Sequence, residues 1–161
     1  MGRMAGRMGL QLNLKENLKQ KNYNTENISF KESLEMSAND RYQFTIAKIT
    51  KTKIVYTFSI KNDCIFFDSP NQKAKVLLIW PDEESIKYCK EKDESFKDLH
   101  VLELSIKDLY HNELKFMHKK KIFVGVYTNL IDIIEVPSLT FKIDWFNYMF
   151  YTLKQDWMFD D

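Results

Sequence analysis

Three carboxylates follow a Trp-Pro step: Asp82, Glu83 and Glu84 stand directly behind Trp80-Pro81. Neighbouring carboxylates are the side chains that acid–base chemistry uses in pairs. These three also fall where a helix would begin, and a helix dipole attracts acids to its start with no chemistry involved. The three histidines are His100, His111 and His118. His111 and His118 share a predicted helix at i, i+7, whereas metal pairs on helices more often use i, i+4 with a third ligand nearby. No metal and no cofactor is expected. Cys64 and Cys89 form no CxxC pair and read as small buried hydrophobes, with a disulfide between them left open by the residues alone. The chain has no GxSxG, no GxGxxG and no GxxxxGKS/T, and its four glycines leave little material for a phosphate-cradling loop. No catalytic residue is assigned. A small enzyme using the acids behind the Trp-Pro step is the alternative reading, not the leading one.

Aromatic and charged side chains offer a second kind of chemistry, which is recognition. Trp80 at the end of a strand can present its indole edge at a rim, with Arg41 reaching Glu83, Glu84 or the indole face. The structural counterpart is that Trp80 packs in the core, Pro81 stops the strand and Arg41 pairs on the surface. Near the C-terminus, Phe141, Trp145, Tyr148 and Met149 fall along one helical face. Phe146, Phe150, Leu153 and Trp157 fall along a neighbouring one, and Tyr151 fits neither. One buried stripe needs fewer apolar residues than this, and surplus aromatics are typical of interfaces. Burial from both sides is the competing explanation. Lys119-Lys120-Lys121, with Lys115 and His118, is a local basic patch without interleaved aromatics, which makes weak nucleic-acid binding a third reading.

Composition narrows the classes. The 161 residues are 44% apolar, enough for one substantial core, and 24 Lys+Arg against 23 Asp+Glu give a net charge of +1. That balance is not the basic footprint of a duplex-binding protein. No segment reaches the ~20 apolar residues that span a bilayer. Residues 1–10 lack a signal-peptide run. The expectation is a cytoplasmic protein without a membrane span.

The elements that must position these residues can be read in order. Residues 1–35 are poor in core pattern and read as a mobile or loosely docked arm. The rest, 36–161, reads as a single domain. Ser37 with Asp40 predicts a helix start, followed by Tyr42, Ile46 and Ile49 on one face. Residues 54–60 alternate as a strand, and 64–67 return as its hairpin partner. Residues 76–80 are continuously apolar, as in a strand covered on both faces. Pro81 suits the first position of the next helix. Residues 99–104, 122–127 and 131–136 predict three further strands. Ser105 opens a helix over 106–118 that places Ile106, Leu109, Leu114 and Met117 inward with some slack. Pro137-Ser138 opens the last, aromatic helix. The order αββ-βα-βα-ββα implies an α+β domain with a mainly antiparallel sheet of five to six strands.

Arg41-Tyr42, the hairpin around Tyr56 and Phe58, Leu78-Ile79-Trp80-Pro81 and Leu104-Ser105-Ile106 occur in an order that resembles the bacterial domain-of-unknown-function family 2750, over residues 36–153. Tyr56 stands where that family tends to have Trp, and Asn62-Asp63-Cys64 replaces an expected hairpin glycine. The resemblance implies a small single-domain cytoplasmic protein and no known activity. Its build is similar to that of immunity proteins, an analogy of architecture alone. The leading expectation is therefore a non-enzymatic module that binds another protein, either a different one or a second copy of itself, in an immunity-type role. Its candidate binding residues are Arg41, Tyr42, Trp80, Pro81, Glu83 and Glu84, and Trp145, Tyr148, Tyr151 and Trp157.

Overall fold

The computed structural model describes residues 24–153. Its first two helices begin at serines. Ser29 and Glu32 cap each other's amides at the start of α1 (Phe30–Glu35), a complete capping box. The Ser37 hydroxyl accepts the Asp40 amide at 3.1 Å to start α2 (Ala38–Thr52). Of the expected arm, residues 24–35 thus carry a 3-10 turn (Thr25–Asn27) and α1, with Thr25 and Ser33 buried. Residues 1–23 and 154–161, Trp157 among them, lie outside the described residues.

Lys53 ends α2 in the left-handed region at φ 66°, and the chain enters β1 (Ile54–Ile60). β2 (Asp63–Cys64), β3 (Phe67–Asp68) and β4 (Lys75–Ile79) follow, then α3 (Glu83–Lys92) and a 3-10 turn (Glu94–Phe96). β5 (His100–Ser105) runs into α4, which consists of Ile106–Asp108, a π-helical segment Leu109–Glu113 and Leu114–Lys120. β6 (Phe123–Val126) and β7 (Ile134–Pro137) lead to α5 (Ser138–Asn147), which continues as a π segment, Tyr148–Leu153.

The fold is α+β, but the expected single sheet is two. One has the order β2-β1-β5, the other β3-β4-β6-β7. Residues 64–67 do not make one strand. The Ile65 amide still bonds Phe58 O, but Phe67 and Asp68 pair with Val76 and Lys75 of the second sheet. β4 and β6 are parallel, because two helices and β5 intervene and bring the chain back to the same end. The sixth expected strand begins three residues late, since 131–133 belong to the loop before β7.

Burial follows the apolar pattern. Leu77, Ile79, Val124, Val126 and Val136 are wholly buried between the second sheet and the helices. In α4, Ile106, Leu109, Leu114 and Met117 all face inward. The slack in their spacing has a structural cause: the π segment inserts an extra residue between Leu109 and Leu114, so an i, i+5 pair shares a face. Asp82, not Pro81, sets the start of α3. Its Oδ1 accepts the Ser85 amide at 2.8 Å, so Asp82 is the N-cap and Pro81 precedes it.

Candidate functional site

β4 turns Val76 and Leu78 to one face of its sheet, and an open groove of about 680 Å³ lies over them. Phe67 extends this floor. The 3-10 turn after α3 supplies Asp93, Ser95 and Phe96 as one wall. The other wall is the loop before β7, with Leu130, Ile131, Asp132 and Ile133, and then Glu135. Gly125 makes this wall fit. A Cβ there would stand 2.8 Å from Leu78 Cδ2 and 2.9 Å from Ile133 Cδ1, so only a bare backbone lets Ile133 lie across β6.

Short polar side chains shape the loop. Asn129 Oδ1 accepts the Ile131 and Asp132 amides at 3.0 and 3.2 Å, and Thr128 Oγ1 accepts the Leu130 amide at 2.9 Å. Leu130 sits at φ 74°. Arg41 then fastens the loop from beneath. It donates from Nε to Tyr127 O at 2.7 Å, from Nη1 to Met36 O at 2.6 Å, and from Nη2 to Asp132 O at 2.8 Å and to the Asp132 carboxylate. A guanidinium only 1% exposed needs this full set of acceptors, and its planar fork suits them.

Every charged residue lining the groove is an acid: Asp68, Asp93, Asp132 and Glu135. Two are charge-paired from outside the lining, Asp132 by Arg41 and Asp68 by Lys75 at 2.7 Å. Glu135 accepts the Ser69 hydroxyl at 2.7 Å, and Asp93 Oδ1 accepts the Ser95 amide and hydroxyl as a turn cap. The lining contains no histidine and no cysteine. Ile131, 87% exposed, projects its side chain at the rim. The arrangement suits a ligand that carries positive charge beside an apolar group.

The sequence-derived candidates do not converge here. Trp80 is buried, donates from Nε1 to Thr128 O at 3.3 Å and packs edge-on to Phe58 and Phe96. Pro81 is buried beside it. Arg41 does not reach Glu83, Glu84 or the indole; it is interior and holds the loop. Glu83 pairs with Lys87 at 2.9 Å, and Glu83 and Glu84 are exposed on the first turn of α3. Asp82 is occupied by the cap and by Lys48 at 2.8 Å, and none of the three lines the groove.

Tyr42 donates its hydroxyl to Asp144 Oδ2 at 2.7 Å, and Trp145 Nε1 donates to Thr50 Oγ1 at 2.8 Å, both within the core. Burial pushes the Asp144 carboxyl up to about 7 against the stabilising Tyr42 bond. Tyr148 is buried and Tyr151 is exposed at the end of the last helix. The second aromatic face is real in part: Leu139, Ile143, Phe146 and Phe150 all point outward, and the rings of Phe146 and Phe150 stack at 5.9 Å.

Cys64 and Cys89 are free, and burial pushes both thiols up to about 11. Among the described residues no group of His, Cys, Asp and Glu is arranged to hold a metal ion, and no helix is long and apolar enough to cross a membrane. The groove residues carried little sequence signal. Gly125 inside a strand pattern was the one mark of close backbone approach.

Fold and site together define a small α+β protein with an apolar, acid-rimmed cleft. The chain belongs to the family described as Protein of unknown function (DUF2750), whose model matches residues 42–142. No curated protein and no solved structure matches it.

Proposed function

We propose that this protein is a non-enzymatic binding module that takes a basic, apolar-bearing segment of another protein into the groove. The observation that carries the reading is the lining itself: an apolar floor whose charged lining residues are all carboxylates. Opposite charge steers encounter and selects the partner, while a buried apolar anchor supplies affinity. An immunity-type role is one form of this reading, with the basic segment on a toxin surface. Fluorescence anisotropy with a labelled synthetic peptide alternating arginine and leucine tests it, against a peptide with glutamate in place of arginine. The arginine peptide binds, the glutamate peptide does not, and Ile131→Asp weakens binding about tenfold or more, the loss of about 1.4 kcal/mol. Equal binding of the two peptides, or full binding by the Ile131 variant, overturns the reading.

A second reading rests on the outward stripe of α5. Leu139, Ile143, Phe146 and Phe150 recur at i, i+4, i+7, i+11, a seam that fits an apolar helix of a partner protein. A photo-crosslinker placed at Ile131 or at Ile143 separates the two. Attachment of a partner through 143 alone favours the stripe, and through 131 alone the groove.

A further inference from the structure

We propose that β5 is a dimerisation edge, pairing antiparallel with β5 of a second copy about a two-fold axis at Leu102. The backbone phase of β1 leads to this. Tyr56 exchanges both backbone hydrogen bonds with Trp80, and Phe58 O accepts the Ile65 amide, so Tyr56 and Phe58 direct their polar groups away from β5. Alternation turns Val55, Thr57 and Ser59 toward β5, opposite Leu104, Leu102 and His100. The amide and carbonyl groups of Val101 and Glu103 therefore face outward. Among the described residues no hydrogen bond reaches them, and β5 pairs only with β1.

The other long edge is protected. Tyr127 N donates to Ile79 O, which places the outward groups of β7 at Glu135 and Pro137, and proline has no amide to offer. β2 and β3 have two residues each. β5 has six, with an exposed or half-exposed pattern throughout. Leu102 at its centre is half-exposed and is not among the half-buried residues packed against the core, as Val101 and Leu104 are.

The occupant follows from register. With the axis at Leu102, Val101 lies opposite Glu103 of the other copy and the reverse, so these two outward residues form hydrogen-bonded pairs; Ser105, third in the same phase, is the cap of α4 at the strand's end. Glu103 then faces Val101, and Leu102 faces Leu102 in the close, non-hydrogen-bonded position. Moving the axis one residue to Glu103 sets two glutamates directly opposite, which is repulsive. One register thus uses the outward groups of Val101 and Glu103, pairs leucine with leucine and separates the acids. The product is a continuous sheet β2-β1-β5-β5-β1-β2. None of His100–Ser105 lines the groove, so both surfaces remain available.

Light scattering of the full chain at about 100 μM, a hundred times a micromolar Kd, reads the assembly. Twice the 19.3 kDa chain mass is expected. Val101→Pro removes an outward amide and no bond within the chain, and Leu102→Lys places like charges on the axis; each gives the monomer with an unchanged circular dichroism spectrum. Leu102→Cys oxidises to a covalent dimer, because a non-hydrogen-bonded pair brings Cα atoms to ~4.5 Å. Glu103→Cys does not, because its diagonal separation is ~7–8 Å. A monomeric parent, or a dimer that Leu102→Cys fails to lock, overturns the proposal.

Discussion

Tyr56 and Trp80 exchange both backbone hydrogen bonds, at 3.0 and 2.9 Å, where β1 meets the end of β4. Among the described residues this bridge is the ladder contact between the two sheets. One residue on, Thr57 Oγ1 donates to Leu78 O at 2.6 Å. The sheets join at this point and diverge on either side of it, and Trp80, Phe58 and Phe96 fill the angle between them. The Trp-Pro step therefore serves as a junction between sheets, and it carries Phe96 to the wall of the groove.

Thr57→Val tests the junction. The swap nearly preserves volume but leaves the Leu78 carbonyl without its side-chain donor in a buried site. A loss of about 1–2 kcal/mol is expected. Urea denaturation reads it as a lower midpoint with an unchanged slope. No change in midpoint would show that the carbonyl is satisfied without Thr57.

Arg41→Lys tests how the loop is held. Lysine keeps the charge but cannot reach the three carbonyls and the carboxylate that the guanidinium serves together. Stability falls by about 2–4 kcal/mol. Hydrogen exchange rises over residues 128–133, and the arginine peptide binds more weakly, because this loop is one wall of the groove. Unchanged protection over 128–133 would remove Arg41 from that role.

Local chemistry made much of this fold legible. The Ser37 and Ser105 caps and the apolar run at 76–79 each depend on neighbours in sequence and sit where their patterns point. The alternation of 54–60 marks the strand but not its buried face, since Thr57 and Ser59 are buried and Ile60 is exposed. What depended on distant partners was not legible. The parallel pairing of β4 with β6 is set by how the intervening helices pack. Arg41 looks like a surface residue until Tyr127 and Asp132 supply acceptors 86 and 91 positions away. Trp145 and Tyr148 read as surplus aromatics because periodicity ranks faces without saying which one meets the sheet. The groove is the extreme case, since its lining comes from four separate segments that share no motif.

Asp144 gives stability a pH dependence of unusual sign for a carboxylate. Its folded value is about 7 against about 3.9 unfolded, so the folded chain keeps a proton that the unfolded chain has released. Rising pH between those values favours unfolding, by up to about 4 kcal/mol in all, and the penalty is constant above pH 7. Below about pH 4 the group contributes nothing. Glu26, held low by the Lys51 hydrogen bond, and Glu32, held low by the Ser29 amide, act in the opposite direction. Asp144→Asn isolates the effect. It keeps an acceptor for Tyr42, and the variant is more stable than the parent at pH 7.5 but not at pH 4. A stability difference that stays flat with pH would place the Asp144 carboxyl in its ordinary range.

Gly125→Ala joins packing to the groove. The backbone there is not in the left-handed region, so alanine meets no conformational strain and any cost is steric. The new Cβ would lie 2.8 Å from Leu78 Cδ2, 2.9 Å from Ile133 Cδ1 and 3.0 Å from Val76 Cγ2. Something must shift, and overpacking of this kind costs about 1–3 kcal/mol. Ile133 is the neighbour best able to give, because it belongs to the loop and not to a strand. Ile133→Val deletes the Cδ1 atom that the alanine would strike, so the double variant should recover about 0.5 kcal/mol or more relative to additivity. Thermal denaturation of the four proteins in the cycle measures this coupling. Strict additivity would mean that Leu78, Val76 or β6 itself gives way to admit the methyl, and that the loop wall does not rest on Gly125.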